Sequence, residues 1–385
     1  MNQQIEKDIN NAVEEFRNIL VEQYERNQRI KGESGSMCAD NGKIVIGLAD
    51  GDGIGPVIMK EVKSVLVKLL TNELETGTLA FQEIEGFTIE ERLAKGETVP
   101  KEVLDQMLNC DVILKGPTTT PNAAMSGKNL ESANVFLRKN LDLFANVRPV
   151  KMPTEGIDWT FFRENTEGEY ALGNRGISVG EDFSVDFKVT TREGTKRIAR
   201  AAYEYAKNNG KKRVSIVTKA NIMKKTDGDF QSICLEIAKE YPEIETDCWF
   251  IDIMAANLVN KTIRNKFEVF LLPNLYGDII TDEAAQIQGG VGTAGSANIG
   301  NEHAIFEAIH GSAPRMVEEG IAHLANPASL MTAAVMMLRH IGLTEKANKL
   351  EKAVSVAREK LAGKMTGLPG GASCEDFAKI VQENI

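Results

Sequence analysis

Asp278 and Asp282 stand four residues apart in the run Asn274-Leu275-Tyr276-Gly277-Asp278-Ile279-Ile280-Thr281-Asp282, which follows an apolar strand ending near Pro273. At the start of a helix this spacing sets both carboxylates on one face, where they repel unless a cation or protons lie between them. A hard divalent ion such as Mg²⁺ suits such a pair. The plainer explanation is that acidic residues favour the first turn of a helix through its dipole. Asp252, on a separate segment after Trp249-Phe250-Ile251, offers a third carboxylate ligand.

Three arginines, Arg138, Arg148 and Arg163, fall on successive segments, with Ser132 and Asn134 just ahead of the first. Converging guanidinium groups clamp a polycarboxylate bidentately; scattered surface arginine is the alternative. Ser132 and Asn134, two apart on a strand or irregular turn, point to one pocket as neutral donors. Tyr170 closes the run Arg163-Glu164-Asn165-Thr166-Glu167-Gly168-Glu169-Tyr170, and Lys219 directly follows the apolar run Val214-Ser215-Ile216-Val217. Partial desolvation at a strand end would bring an amine down from about 10.4 toward the ~7–8 that serves a general base, although a lysine there is more often solvated. The glycine turns Asp52-Gly53-Ile54-Gly55-Pro56 and His310-Gly311-Ser312-Ala313-Pro314 say only that backbone approaches a phosphate or another strand closely. Neither is the dinucleotide fingerprint of a Rossmann unit.

The elements that must carry these residues follow from apolar periodicity. Ile44 to Leu48, Asp111 to Leu114, Val214 to Val217 and Val269 to Leu272 are short buried strands; helical patterns such as Val57 to Leu70 and Arg197 to Asn208 alternate with them. The fold class is α/β with a substantial sheet. Between Gly173 and Thr191, Phe183, Val185, Phe187 and Val189 alternate with polar residues, which suits an exposed two-stranded arm of the kind subunits exchange. Ahead of all this, Ile5, Ile9, Val13, Phe16, Ile19, Leu20 and Tyr24 mark an amphipathic helix, and Gly32 to Ser36 break it. The first forty or so residues therefore read as an appendage.

Composition narrows the partners. The net charge of −10 leaves no broad positive field for nucleic acid or an anionic membrane, so small molecules are expected. Five cysteines, Cys38, Cys110, Cys234, Cys248 and Cys374, show no paired spacing, which points to a reducing compartment. With no apolar run of signal length, the expected location is the cytoplasm.

Taken together, Gly51 to Pro56, Lys115-Gly116-Pro117-Thr118-Thr119-Thr120-Pro121, Glu131-Ser132-Ala133-Asn134-Val135-Phe136-Leu137-Arg138, Asn146-Val147-Arg148-Pro149, Arg163 to Tyr170, Asn274 to Asp282 and His310 to Pro314 resemble the isocitrate and isopropylmalate dehydrogenase family, the β-decarboxylating dehydrogenases, from about Lys43 to the C-terminus. The resemblance implies that family's fold, two domains sharing a sheet with a non-Rossmann dinucleotide site. It implies Arg138, Arg148 and Arg163 on the substrate carboxylates, Asp252, Asp278 and Asp282 on Mg²⁺ or Mn²⁺, and Tyr170 with Lys219 as the acid/base pair. For the dinucleotide it implies Ile54, Thr119, Thr120, Asn221, Glu307, His310, Gly311, Ser312, Ala313, Pro314, Arg315, Met316 and Asn326. It further implies a homodimer or higher homo-oligomer with shared active sites, Lys219 and Asp252 coming from the neighbouring chain.

Ser132 and Asn134 occupy the position that separates substrates in the family, and isocitrate enzymes look like this. The expected activity is oxidative decarboxylation of isocitrate to 2-oxoglutarate, a step of the tricarboxylic acid cycle. The alternatives are relatives acting on 3-isopropylmalate, homoisocitrate or tartrate and malate, or a non-catalytic regulatory subunit. NAD and NADP both stay open: Arg315 stands where NAD enzymes of the family usually carry Asp and NADP enzymes Lys, Met316 replaces the Tyr beside that Lys, and Glu318 and Glu319 oppose a phosphate. The sequence departs from the family pattern in a longer Asn122 to Glu131 segment, in Ala49-Asp50 ahead of the first glycine turn, and in everything before Lys43. The expected domains are an N-terminal helix and linker (1–41), a large dinucleotide-binding domain (42–143 with 289–385), and a small domain (144–288) holding the metal ligands and the arm (about 173–191).

Overall fold

The computed structural model describes residues 3–32, 42–121, 130–172, 175–290, 292 and 294–385. The 33–41 linker with Cys38, most of the lengthened loop (122–129) and the first two residues of the arm lie outside the described residues. The chain divides into two compact units, one of residues 1–35 and 153–281, the other of residues 36–152 and 282–385. Residues 144–152 and 282–288 therefore belong with the larger unit, and the leading helix with the smaller one, unlike the division expected from sequence.

In the larger unit, β1 (Ile44–Ala49), β2 (Leu79–Glu83), β3 (Val112–Lys115), β4 (Ala145–Met152), β11 (Gly295–Ile299) and β12 (Ala304–Ala308) run in the order β2-β1-β3-β12-β11-β4. The first four of that order pair in parallel; β11 is antiparallel to both neighbours. β3 and β12 are buried along their whole length, Lys115 and Glu307 included, because both faces of the sheet are covered here. The helix Ala328–His340 packs on β11 and β12 with nine buried residues, which accounts for its high apolar content. Gly51 (φ +74°) and Gly53 (φ +61°) bring the turn after β1 against other backbone, because a Cβ at either would meet Pro117 O or Ser312 O at 2.2 or 2.0 Å. Of the two explanations for these glycines, close approach to another strand end is therefore realised.

In the smaller unit, β5 (Ile157–Glu164), β8 (Arg213–Thr218), β9 (Glu245–Phe250) and β10 (Val269–Leu272) form a parallel set in the order β5-β10-β8-β9. Its core is aromatic: Phe161 stacks on Phe270 with centroids 4.3 Å apart, and Trp159 meets both edge-on. The helix Arg192–Asn208, capped by Thr191, covers this set. Within the expected arm, β6 (Ile177–Val179) and β7 (Phe183–Val185) pair antiparallel, and β7 is exposed throughout.

The leading helix extends over Gln3–Gly32 and is not a loose appendage. Ile19 is 2% exposed, Phe16 stacks on Phe187 at 5.4 Å, and Arg175 bonds Glu15 and Glu22. The helix packs against the arm and the helix Arg192–Asn208 along part of its apolar stripe, burying Ile19, while Val13, Leu20 and Tyr24 of that stripe stay exposed. Among the described residues no helix is long and apolar enough to cross a membrane.

Candidate active site

In the smaller unit, Arg163 is the penultimate residue of β5 and Asp278 lies in the first turns of the helix Asn274–Gln288, which begins two residues after β10, the strand beside β5. That pairing brings them together. Arg163 is 1% exposed; its Nε and Nη2 donate to Asn274 Oδ1 at 3.0 and 2.6 Å, and Nη1 donates to Asp278. The Tyr170 hydroxyl donates to the other oxygen of Asp278 at 2.6 Å, and the Arg163 guanidinium lies 5.1 Å from the Tyr170 ring centroid. Asp278 thus joins a substrate candidate to a proton-transfer candidate. Gly277 permits this: a Cβ there would stand 2.5 Å from Arg163 Cγ.

The second pair of this unit is Lys219 and Asp252, with Nζ to Oδ1 2.6 Å. Lys219 is partly buried and held by a charge partner. Its side chain is 26% exposed and ion-paired, because the chain turns outward after β8 while Asp252 begins the helix after β9, the neighbouring strand. The Lys219 hydrogen bond holds the Asp252 carboxyl below its ordinary value. Asn221, two residues on, is exposed. Among the described residues no three His, Cys, Asp or Glu side chains gather as a metal shell.

In the larger unit, Asn134 and Arg138 sit one turn apart on the helix Ala133–Asn140 and line a small pocket with Lys115, Asn298 and Glu307. Lys115 Nζ is 2.8 Å from Glu307, Asn298 donates to Glu307 at 2.7 Å, and Arg138 lies 3.8 Å away. Burial alone would raise the Glu307 carboxyl, but the charges of Lys115 and Arg138, with hydrogen bonds from Lys115 and Asn298, bring it down to about 2. Two cations against one anion leave the pocket net positive. Thr118 donates to Asn134 Oδ1 at 3.0 Å. Ser132 is the N-cap of the same helix, yet its side chain makes no capping hydrogen bond. Arg148 on β4 is 7% exposed and donates to Asp282 at 3.1 Å.

The residues expected at the dinucleotide also fall in this unit, Asn221 excepted. The Ile54 N–H donates to Ser312 O at 2.9 Å, and the hydroxyls of Thr119 and Ser312 are 2.6 Å apart. Thr120 is exposed. His310 Nδ1 is 2.9 Å from Gly311 O, and burial lowers its pKa. Ala313 adopts φ +44°, a left-handed conformation uncommon outside glycine, and so turns the chain into the helix that starts at Pro314. Arg315 is 87% exposed beside Glu319 at 3.4 Å; Met316 is half-buried, and Asn326 caps the Ala328 N–H. Glu307, expected near the dinucleotide, accepts from Lys115 and Asn298 in the pocket described above.

Several residues of this framework carry no sequence signal that assigns them a role. Asp52 is buried against Arg92 at 2.7 Å and accepts the Ile89 and Thr119 N–H groups. Asp227, fully buried, accepts the Lys219 N–H at 2.7 Å and pairs with Lys188 at 2.6 Å. Lys115 had one available clue, a cation ending an otherwise apolar strand.

A family model described as isocitrate/isopropylmalate dehydrogenase matches residues 45–381. The isocitrate dehydrogenase [NADP] of Rickettsia prowazekii is 41% identical over 320 residues, 80% of this chain and 62% of that protein, so the chain spans under two thirds of that relative's length. The probable isocitrate dehydrogenase [NAD] subunit alpha, mitochondrial, of Drosophila melanogaster is 36% identical, covering 90% of this chain and 89% of its own. The crystal structure of isocitrate dehydrogenase from Methylococcus capsulatus superposes with a TM-score of 0.76 at 35% identity, over 89% of this chain and 99% of that one. The α/β architecture expected from the strand and helix pattern is thus that of these enzymes, and the chain belongs to the isocitrate/isopropylmalate dehydrogenase family.

Proposed function

We propose that this protein oxidises isocitrate to 2-oxoglutarate and carbon dioxide, reducing NAD or NADP with the help of Mg²⁺ or Mn²⁺. The observation that carries the reading is the polar, net positive setting of Asn134, with Lys115 and Arg138 set against the single anion Glu307, which suits a carboxylate better than an isopropyl group. Arg138, Arg148 and Arg163 bind substrate carboxylates, and Ser132 and Asn134 hydrogen-bond the one that distinguishes isocitrate. Arg148 and Arg163 are already held at 7% and 1% exposure, so little ordering is left to do on binding.

Asp252, Asp278 and Asp282 offer the hard oxygen donors that Mg²⁺ or Mn²⁺ takes. When bound, the metal supplies Lewis acidity at the C2 oxygen and the oxidised nicotinamide supplies the hydride acceptor. Lys219 accepts the C2 hydroxyl proton, directly or through water, and Tyr170 delivers a proton to C3 after carbon dioxide leaves. The hydrogen bond from Tyr170 to Asp278 orients that hydroxyl. Lys219 and Asp252 serve as a unit, and we place them at the partner's site in a homodimer. We place this dimer in the cytoplasm.

Initial rates of NAD and NADP reduction with Mg²⁺, offered isocitrate, isopropylmalate, homoisocitrate and malate in parallel, test the proposal. Turnover of isocitrate above the other acids is expected. Preference for another acid overturns the substrate assignment, and no turnover with tight Mg²⁺ binding makes the chain a regulatory subunit.

A further inference from the structure

The leading helix precedes the stretch that the family model matches, which starts at residue 45. Even so, it is bonded to the segment that carries Arg163 and Tyr170. Arg26 donates from one guanidinium nitrogen to Glu167 Oε1 at 2.8 Å and from another to Thr166 Oγ1 at 2.9 Å. The Glu167 side chain is 3% exposed. Its carboxylate also accepts the N–H of Thr191 at 2.8 Å and the Thr191 hydroxyl, at the N-terminus of the helix Arg192–Asn208, where the helix dipole favours an anion. Glu164, equally buried, accepts the Thr166 N–H at 2.9 Å, the Thr166 hydroxyl at 2.8 Å and the Glu167 N–H at 2.7 Å.

All of these neighbours present hydrogens, so the arrangement suits both carboxylates in their ionised form. Two buried carboxylates side by side are costly unless cations face them. Arg26 faces them from the leading helix, and Arg197, which donates to Thr166 Oγ1 at 3.2 Å, from the helix Arg192–Asn208. The site is one residue further: Asn274 donates to Glu167 O at 2.9 Å, while its Oδ1 accepts two hydrogen bonds from Arg163.

We infer that Arg26 is a positioning residue for Arg163 and Tyr170, and that the leading helix, docked through the Glu164–Glu167 pair, holds residues 163–170 in their working shape. The inference rests on the isocitrate-oxidising reading. Burial, and then the charge of Glu167, push the Glu164 carboxyl up to about 7, against the Thr166 hydrogen bonds and the attraction of Arg26. Taking Arg26 away removes an attraction that lowers it, so the ionised network should give way at a higher pH.

The test is kcat/KM for isocitrate against pH, with melting temperature, for the full chain and its Arg26→Gln and Arg26→Lys variants. Arg26→Gln should lower kcat/KM about 10–100-fold near neutral pH, the usual range for outer-shell partners, and move the acid limb upward. Arg26→Lys, which keeps the charge, should restore most of the profile. If Arg26→Gln lowers only the melting temperature, with rate and pH profile unchanged, the residue is merely structural and the inference fails. A wild type that prefers another of the four acids sinks the isocitrate reading instead, and the same series on that acid still decides Arg26; a wild type that turns over none sinks both.

Discussion

Replacing Lys115 by methionine removes a buried cation while nearly keeping side-chain volume, so the result isolates charge. Lys115 is 1% exposed and 2.8 Å from Glu307, itself 6% exposed. Burial works to raise the Glu307 carboxyl, yet Lys115 and Arg138 take it from 4.5 to about 2. A depressed carboxyl contributes stability that is fully present above 4.5 and is lost as pH falls through about 2; a drop of that size corresponds to about 3 kcal/mol at neutral pH. Breaking a buried pair from one side costs roughly 3–5 kcal/mol, and the retained Arg138 and Asn298 put the expected loss near the lower end. At about 2–4 °C per kcal/mol for a unit of this size, the melting temperature should fall by about 6–12 °C.

The variant's Glu307, left with a single, more distant cation, is free to rise, and protonating it relieves the penalty. The loss should therefore be largest at about pH 7.5 and roughly half as large at about pH 5, and Lys115→Met combined with Glu307→Gln should recover at least half of it. Thermal unfolding at both pH values for the wild type, the two single variants and the double variant measures this. A melting temperature within about 2 °C of the wild type, an equal loss at both pH values, or no recovery in the double variant would refute the electrostatic reasoning.

Gly277→Ala places a Cβ 2.5 Å from Arg163 Cγ and should displace the guanidinium, lowering kcat/KM about 100-fold with a smaller effect on KM for the dinucleotide, as steady-state kinetics would read. Asp227→Asn leaves Lys188 buried beside Glu169 at 3.2 Å and weakens the acceptor of the Lys219 N–H; stability should fall by about 3 kcal/mol and kcat with it, and denaturation showing less than about 1 kcal/mol would contradict the role given to this pair. Arg315→Asp removes an exposed cation suited to a 2′-phosphate, and the ratio of NADP to NAD kcat/KM should fall at least tenfold if the wild type uses NADP, corresponding to about 1.4 kcal/mol.

The sequence by itself determined the element types, because apolar runs such as Ile44 to Leu48 and Val269 to Leu272 have only a sheet in which to hide. The spacing of Asp278 and Asp282 and the types of Arg138, Arg148, Arg163, Tyr170 and Lys219 were visible there as candidates, since chemistry restricts which side chains suit such tasks. Local pattern could not give partners across strands. Arg163 meets Asp278 only because β5 pairs with β10, and Lys219 meets Asp252 only because β8 pairs with β9. The leading helix shows the limit most plainly: its periodicity was legible as amphipathic, but the face it covers was decided by Arg26 finding a buried carboxylate 141 residues away. The same holds for Lys115 and Glu307, charged residues that local hydropathy would send to the surface but that lie at wholly buried strand positions, where only tertiary contact pairs them.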